Sequence, residues 1–266
     1  MALSSRRSLI LLWIGLSVSI VQPGLSFAQQ DADPRISKVL NQLDRYVNDA
    51  MAKTKVPGAS VAVVYQDQVV FLKGYGVRKL GEPARVDPDT VFEIASFSKP
   101  IASTVVAAVV GQGEVSWDSR IEDLDPGFQL SNQAITEQVT VRDFFAHRST
   151  LPDGAGDILE ALSYTRPEIL SKLRLVKLNG VFRKTYQYSN FGITEGALAA
   201  TRHLDKTWEE VSEDLLYSKL GMTRTSSRFS DISIVPIAPP SIISTRMVFS
   251  MTAIYAKRIL SRRQAA

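Results

Sequence analysis

The 266-residue sequence predicts an α/β (α+β) fold, an antiparallel sheet flanked by helices, and two observations carry that prediction. The first is a hairpin signal. Two apolar, β-branched and aromatic runs, Ala59–Tyr65 (ASVAVVY) and Val69–Val77 (VVFLKGYGV), are joined by Gln66-Asp67-Gln68. The second is its setting: an amphipathic helical pattern precedes the hairpin and a series of helical patterns follows it. With 45% hydrophobic residues, the chain has enough apolar material for the core of one or two globular domains.

In chain order, residues 1–28 read as a secretory signal peptide. Arg6 and Arg7 supply the positive region, Leu9 to Ile20 the apolar one, and Ser26-Phe27-Ala28 the small residues before a cut ahead of Gln29. The apolar run is shorter than the ~20 residues of a membrane span, and no cysteine follows for a lipid. The expected protein is therefore periplasmic or secreted, with no stable membrane anchor. Asp33-Pro34 opens the first helix, with Ile36, Val39, Leu40, Leu43, Val47 and Ala50 on one face. In the second strand, Gly74 and Gly76 predict a bend or close packing. A loop with Pro83 and Pro88 leads to FEIASFSKPIASTVVAAVV (Phe92 to Val110), a helix buried on most sides and ended by Gly111 to Gly113. Thr140-Val-Arg-Asp143 reads as a capping box, Ile169 to Leu178 as an amphipathic helix, and Phe191 to Ala200 as an alanine-rich one. A second capping box, Thr207-Trp-Glu-Glu210, opens a helix that ends at Leu220-Gly221.

Ser96 and Lys99 are the candidate catalytic pair, and they form the only Ser-x-x-Lys spacing in the chain. Three residues are just under one helical turn, so both side chains share a face. A serine hydroxyl is a poor nucleophile until a base takes its proton, and a lysine does so when neutral. At a helix start, backbone N–H groups and the dipole favour developing negative charge. The pattern is that of acyl transfer. With no cysteine and two histidines, thiol chemistry, disulfides and Cys- or His-rich metal sites are excluded, and no metal or other cofactor is expected. A formal charge of +4 without a basic stripe interleaved with aromatics gives no nucleic-acid surface.

Taken in order, IASFSKP, GEVSWDSRI, VRDFFAHRSTLP, YSNFGIT and WEEVSEDLLYSKLGMTRTS resemble the serine β-lactamase superfamily. The likeness is to the class C β-lactamases with their esterase and D-aminopeptidase relatives, over roughly residues 35–231. It implies a β-lactamase/transpeptidase-like antiparallel sheet flanked by helices, with an inserted helical domain. It also implies that Ser96 is the acylated nucleophile and Lys99 its proton partner. Tyr188 would assist proton transfer, and Asn190 would bind substrate and hydrogen-bond the lysine. Tyr46-Val47-Asn48 has the same Tyr-x-Asn spacing inside an ordinary amphipathic helix and is structural. His147 matches a position that closes a helix before Gly-Leu-Pro in relatives and is read as structural. Thr150 replaces the glycine of that motif, which leaves the backbone angles there an open question. His203 is read as a surface residue at a helix end.

After Asp231 the family pattern stops: no Lys-Thr-Gly, histidine or glycine occurs from Ile232 to Ala266. Back-translated and read two bases later, that segment admits a Pro-Ala-Gly-Gly run like the one relatives carry next, so it is read as an out-of-frame tail. The expected organisation is a signal peptide (1–28), a partial hydrolase domain (29–231) with its C-terminal strands missing, and an aberrant tail (232–266). The expected activity is hydrolysis of a β-lactam, ester or peptide amide, on a small-molecule or peptidoglycan-like substrate, through acyl-Ser96. The competing reading is a catalytically inactive fragment or cell-wall-binding relic.

Overall fold

The structure, a computed structural model, describes residues 34–231; the expected signal peptide and the 232–266 tail lie outside the described residues. The elements are α1 (Pro34–Thr54), β1 (Gly58–Tyr65), β2 (Gln68–Gly76), α2 (Ser98–Val110), α3 (Ile121–Leu124), α4 (Gln133–Thr136) and α5 (Val141–Phe145). They continue with α6 (Asp157–Ala161), α7 (Arg166–Lys172), α8 (Asn190–Thr201), α9 (Trp208–Ser212) and α10 (Ser218–Leu220), the last two joined by a π turn, Glu213–Tyr217.

The hairpin is antiparallel, with Gly58 paired to Gly76 and Tyr65 to Gln68, and a bulge between Val63 and Val64. Its turn is one residue shorter than the three-residue connection expected. Gln66 and Asp67 both take positive φ (48° and 62°), the handedness that matches strand twist, and Gln68 joins the ladder. The two strand glycines are close-approach sites. A Cβ on Gly74 would stand 2.3 Å from the Val86 carbonyl oxygen, and one on Gly76 (φ +69°) 2.1 Å from that of Pro57. α1 is tied to β2 through Asp44, which accepts from Lys73 Nζ at 2.5 Å and from the Tyr75 hydroxyl at 2.7 Å. Ile36, Leu40, Leu43, Val47 and Ala50 are half-buried, as the helical period requires. Val39, expected on that face, is 56% exposed because it sits at the edge of the stripe.

The main core is helical. Ala102, Val105, Val106 and Val109 of α2 are fully buried and meet the small-residue face of α8, where Ala197 and Ala200 are also fully buried. Phe144 of α5 packs on the same helix and meets Phe128 edge-on at 5.7 Å. Both predicted capping boxes form, at Thr140–Asp143 and Thr207–Glu210. The helix expected over 169–178 begins earlier, at Arg166, under a third box from Thr165 and Glu168. It tightens into a 3₁₀ turn at Leu173–Leu175. At Ala146 α5 ends in a Schellman arrangement: His147 N–H donates to the Phe144 carbonyl and Arg148 N–H to that of Asp143. His147 holds the left-handed position at φ +55°.

Candidate active site

The site forms where the N-terminal ends of α2 and α8 meet. Ser96 is exposed and lies in a 3₁₀ turn, Ala95–Phe97, that runs into α2. The α-helix proper starts at Ser98, so Ser96 stands just ahead of the first α-turn rather than within it. The chain is turned into this position at Ala95, which takes φ +44°, and the Ser98 hydroxyl donates to the Ala95 carbonyl at 2.5 Å. Strain of this kind, an alanine in the left-handed region, costs of order 1–3 kcal/mol and persists where surrounding contacts over-determine it.

Lys99, half-buried one turn later, brings Nζ to 3.1 Å from Ser96 Oγ and 2.7 Å from Asn190 Oδ1. It also stands 4.7 Å from the centroid of the Tyr188 ring. The Tyr188 hydroxyl donates to Ser96 Oγ at 2.7 Å. The four residues singled out in the sequence therefore converge: Ser96 Oγ is in hydrogen-bond reach of both Lys99 and Tyr188, and Asn190 holds the far side of the lysine. Tyr188 and Asn190 are placed by the start of α8. There the Ser189 hydroxyl caps the helix by accepting from Gly192 N–H at 3.0 Å.

His147, expected to be structural, lies directly behind this group. Its ring stacks on Tyr188 (centroids 4.6 Å apart, planes at 30°) and meets Tyr186 edge-on at 5.4 Å. Nδ1 accepts from Ser189 N–H at 3.1 Å, which leaves the remaining ring proton on Nε2. Burial, and secondarily the Lys99 charge, push its pKa below 6.5, against a weaker pull from Asp153. Thr150 adopts φ +73°, a left-handed backbone angle that favours glycine, so the open question of its backbone angles is answered by a strained threonine. His203 is on the surface, with Nε2 3.4 Å from Glu114.

Sequence reasoning missed Asp157. It is the first residue of α6 and accepts from Asn190 Nδ2 through both carboxylate oxygens, each at 3.1 Å. Behind it, Gly156 caps the helix at φ +94°, where a Cβ would stand 2.6 Å from the Phe191 ring and 2.8 Å from Ile169. Among the described residues no group of His, Cys, Asp or Glu could hold a metal ion, and no helix is long and apolar enough to cross a membrane.

Comparison with known proteins gives one coherent set of likenesses. The family model described as Beta-lactamase matches residues 43–232. The unguisins hydrolase ungD' of Aspergillus campestris is 26% identical over 193 residues, covering 70% of this chain and 36% of that protein. A solved class C beta lactamase is 25% identical with a TM-score of 0.62, covering 70% of this chain and 50% of that one. The octameric penicillin-binding protein homologue from Pyrococcus abyssi shares the fold at 20% identity, with a TM-score of 0.65 over 82% of this chain and 51% of that one. The chain thus spans about a third of the length of the fungal relative and about half of each solved structure.

Proposed function

The chain belongs to the Beta-lactamase family, and on that premise we propose that it is a serine hydrolase acting through acyl-Ser96 on a β-lactam, an ester or a peptide amide. The observation that carries this is the double contact on Ser96 Oγ, from Lys99 Nζ at 3.1 Å and the Tyr188 hydroxyl at 2.7 Å. In the reaction, the Lys99–Tyr188 pair takes the Oγ proton, by way of Lys99 Nζ or the Tyr188 hydroxyl. Oγ then bonds to the substrate acyl carbon, and the bond to the leaving amine or alkoxide breaks as Tyr188 returns a proton to it. Water, deprotonated by the same pair, attacks the ester carbon and frees Ser96. Asn190 keeps Lys99 aimed at Oγ through its Oδ1. The fungal relative's name, a hydrolase, supports the reaction class.

A fluorescent fluorophosphonate or fluorescent penicillin tests the reading. The label should map to Ser96 and vanish in Ser96→Ala, while Lys99→Ala and Tyr188→Phe should slow labelling by about 10²–10⁴, the size of general acid–base effects. Labelling that survives Ser96→Ala would sink it. The second reading is a catalytically inactive fragment or cell-wall-binding relic. It requires an unlabelled chain that still sediments with peptidoglycan. Arg6-Arg7, the short apolar run and Ser26-Phe27-Ala28 further support export to the periplasm or beyond.

A further inference from the structure

We propose that Asp157 is a positioning residue: it fixes which way the Asn190 amide faces and thereby where Lys99 points. The inference rests on the hydrolase reading above. Asn190 sits between two partners of opposite hydrogen-bonding character. Lys99 Nζ, 2.7 Å from Oδ1, brings N–H donors to that side. The Asp157 carboxylate, 3.1 Å from Nδ2 through each oxygen, brings only acceptors to the other. An asparagine amide has two orientations related by a flip, and only one satisfies both neighbours. Asp157 therefore keeps the carbonyl oxygen toward the lysine; without it, the flipped amide would set N–H against N–H at the catalytic base.

The position of Asp157 is itself over-determined. Gly156 occupies a left-handed turn packed against Phe191 and Ile169, and Gly154 N–H donates to the Tyr188 carbonyl at 3.3 Å. The loop ahead of α6 thus grips the Tyr-Ser-Asn segment at both ends, through the Tyr188 backbone and the Asn190 side chain.

A reciprocal exchange in the 266-residue chain tests the assignment, with the rate of fluorophosphonate labelling of Ser96 as readout. Asp157→Asn alone should slow labelling by up to about 10²-fold, the scale of a misplaced catalytic group. Asn190→Asp alone sets two carboxylates against each other and should also slow it. In the Asn190→Asp background, Asp157→Asn should instead speed labelling, because the new amide donates to the new carboxylate and the lysine regains its acceptor. That reversal of sign is beyond a merely structural residue, and an equal slowing in both backgrounds would overturn the proposal. A second readout needs no activity. The Asn190 side-chain NH₂ signal in a ¹⁵N–¹H spectrum should exchange with D₂O more slowly than exposed amides, and Asp157→Ala should abolish that protection. If the parent chain is not labelled, the hydrolase reading fails and the NH₂ exchange alone decides Asp157; free exchange in the parent chain overturns it.

Discussion

Replacing Glu195 by glutamine should stabilise the protein, and by more as pH rises toward 8. Glu195 lies in the middle of α8, is 1% exposed, and its Oε1 has no hydrogen-bond partner among the described residues. Burial, with a further push from the Asp125 carboxylate and against the Arg202 charge, raises its pKa from 4.5 to about 8. The sign follows from proton counts. Between pH 4.5 and about 8 the folded chain holds a proton on Glu195 that the unfolded chain has released, so stability falls as pH rises. The slope is about 1.4 kcal/mol per pH unit, which amounts to roughly 3 kcal/mol by pH 7, a large share of the 5–15 kcal/mol typical of a domain. Above pH 8 the loss levels off, and below 4.5 both states are protonated and the effect is absent. His147, with its pKa held below 6.5, contributes the opposite slope on the acid side of 6.5. The difference between parent and Glu195→Gln is therefore the quantity to follow, from urea unfolding at intervals between pH 5 and 9. Glutamine keeps the shape and removes only the ionisation, so the difference should grow from pH 5 to about 8 and level off above it. A pH-independent difference, or a parent chain more stable than Glu195→Gln at pH 8, would refute the reasoning.

Gly156→Ala should destabilise the fold by roughly 3 kcal/mol, since the new Cβ meets Phe191 and Ile169 at a backbone angle that L residues rarely adopt. Urea denaturation measures it, and a loss under about 0.5 kcal/mol would show the turn to be adaptable. In a Gram-negative host the chain should be processed to begin at Gln29, read by intact mass of the envelope fraction, where a retained Met1 counts against export.

Helix starts were the legible part of the fold because their chemistry is local. Thr140 with Asp143 and Thr207 with Glu210 each sit three residues apart, and both close as capping boxes. The Thr165 box was equally present but was overlooked, because the first turn behind it, Arg166-Pro167-Glu168, is polar and the apolar stripe begins only at Ile169. The strand pair was readable from composition. Its turn was not, since Gln66 and Asp67 accept left-handed angles that the residue types do not advertise. Ser96 and Lys99 could be paired by helical spacing alone, whereas Tyr188 and Asn190 came from likeness of motif order. Asp157 carries no sequence signal: it is 33 residues from Asn190 and reaches it only because Gly156 turns the chain back against Phe191. The stack of His147 on Tyr188 is hidden in the same way, 41 residues apart and closed by a Schellman turn.

The core explains why the four residues converge even though the described sheet has only two strands. Ser96 and Lys99 come from the start of α2, and Tyr188 and Asn190 from the start of α8. Those helices meet through fully buried small and branched residues, Ala102, Val105 and Val106 against Ala197 and Ala200. In the hairpin only Tyr75 is buried; β1 alternates half-buried Val61 and Val63 with exposed Ser60, Ala62 and Val64. The distances on Ser96 Oγ are thus set by helix packing, where loss of one buried methylene is felt, and not by strand register. The helical part brings Ser96, Lys99, Tyr188 and Asn190 together, with the contacts on Ser96 Oγ and Lys99 Nζ held between the starts of α2 and α8.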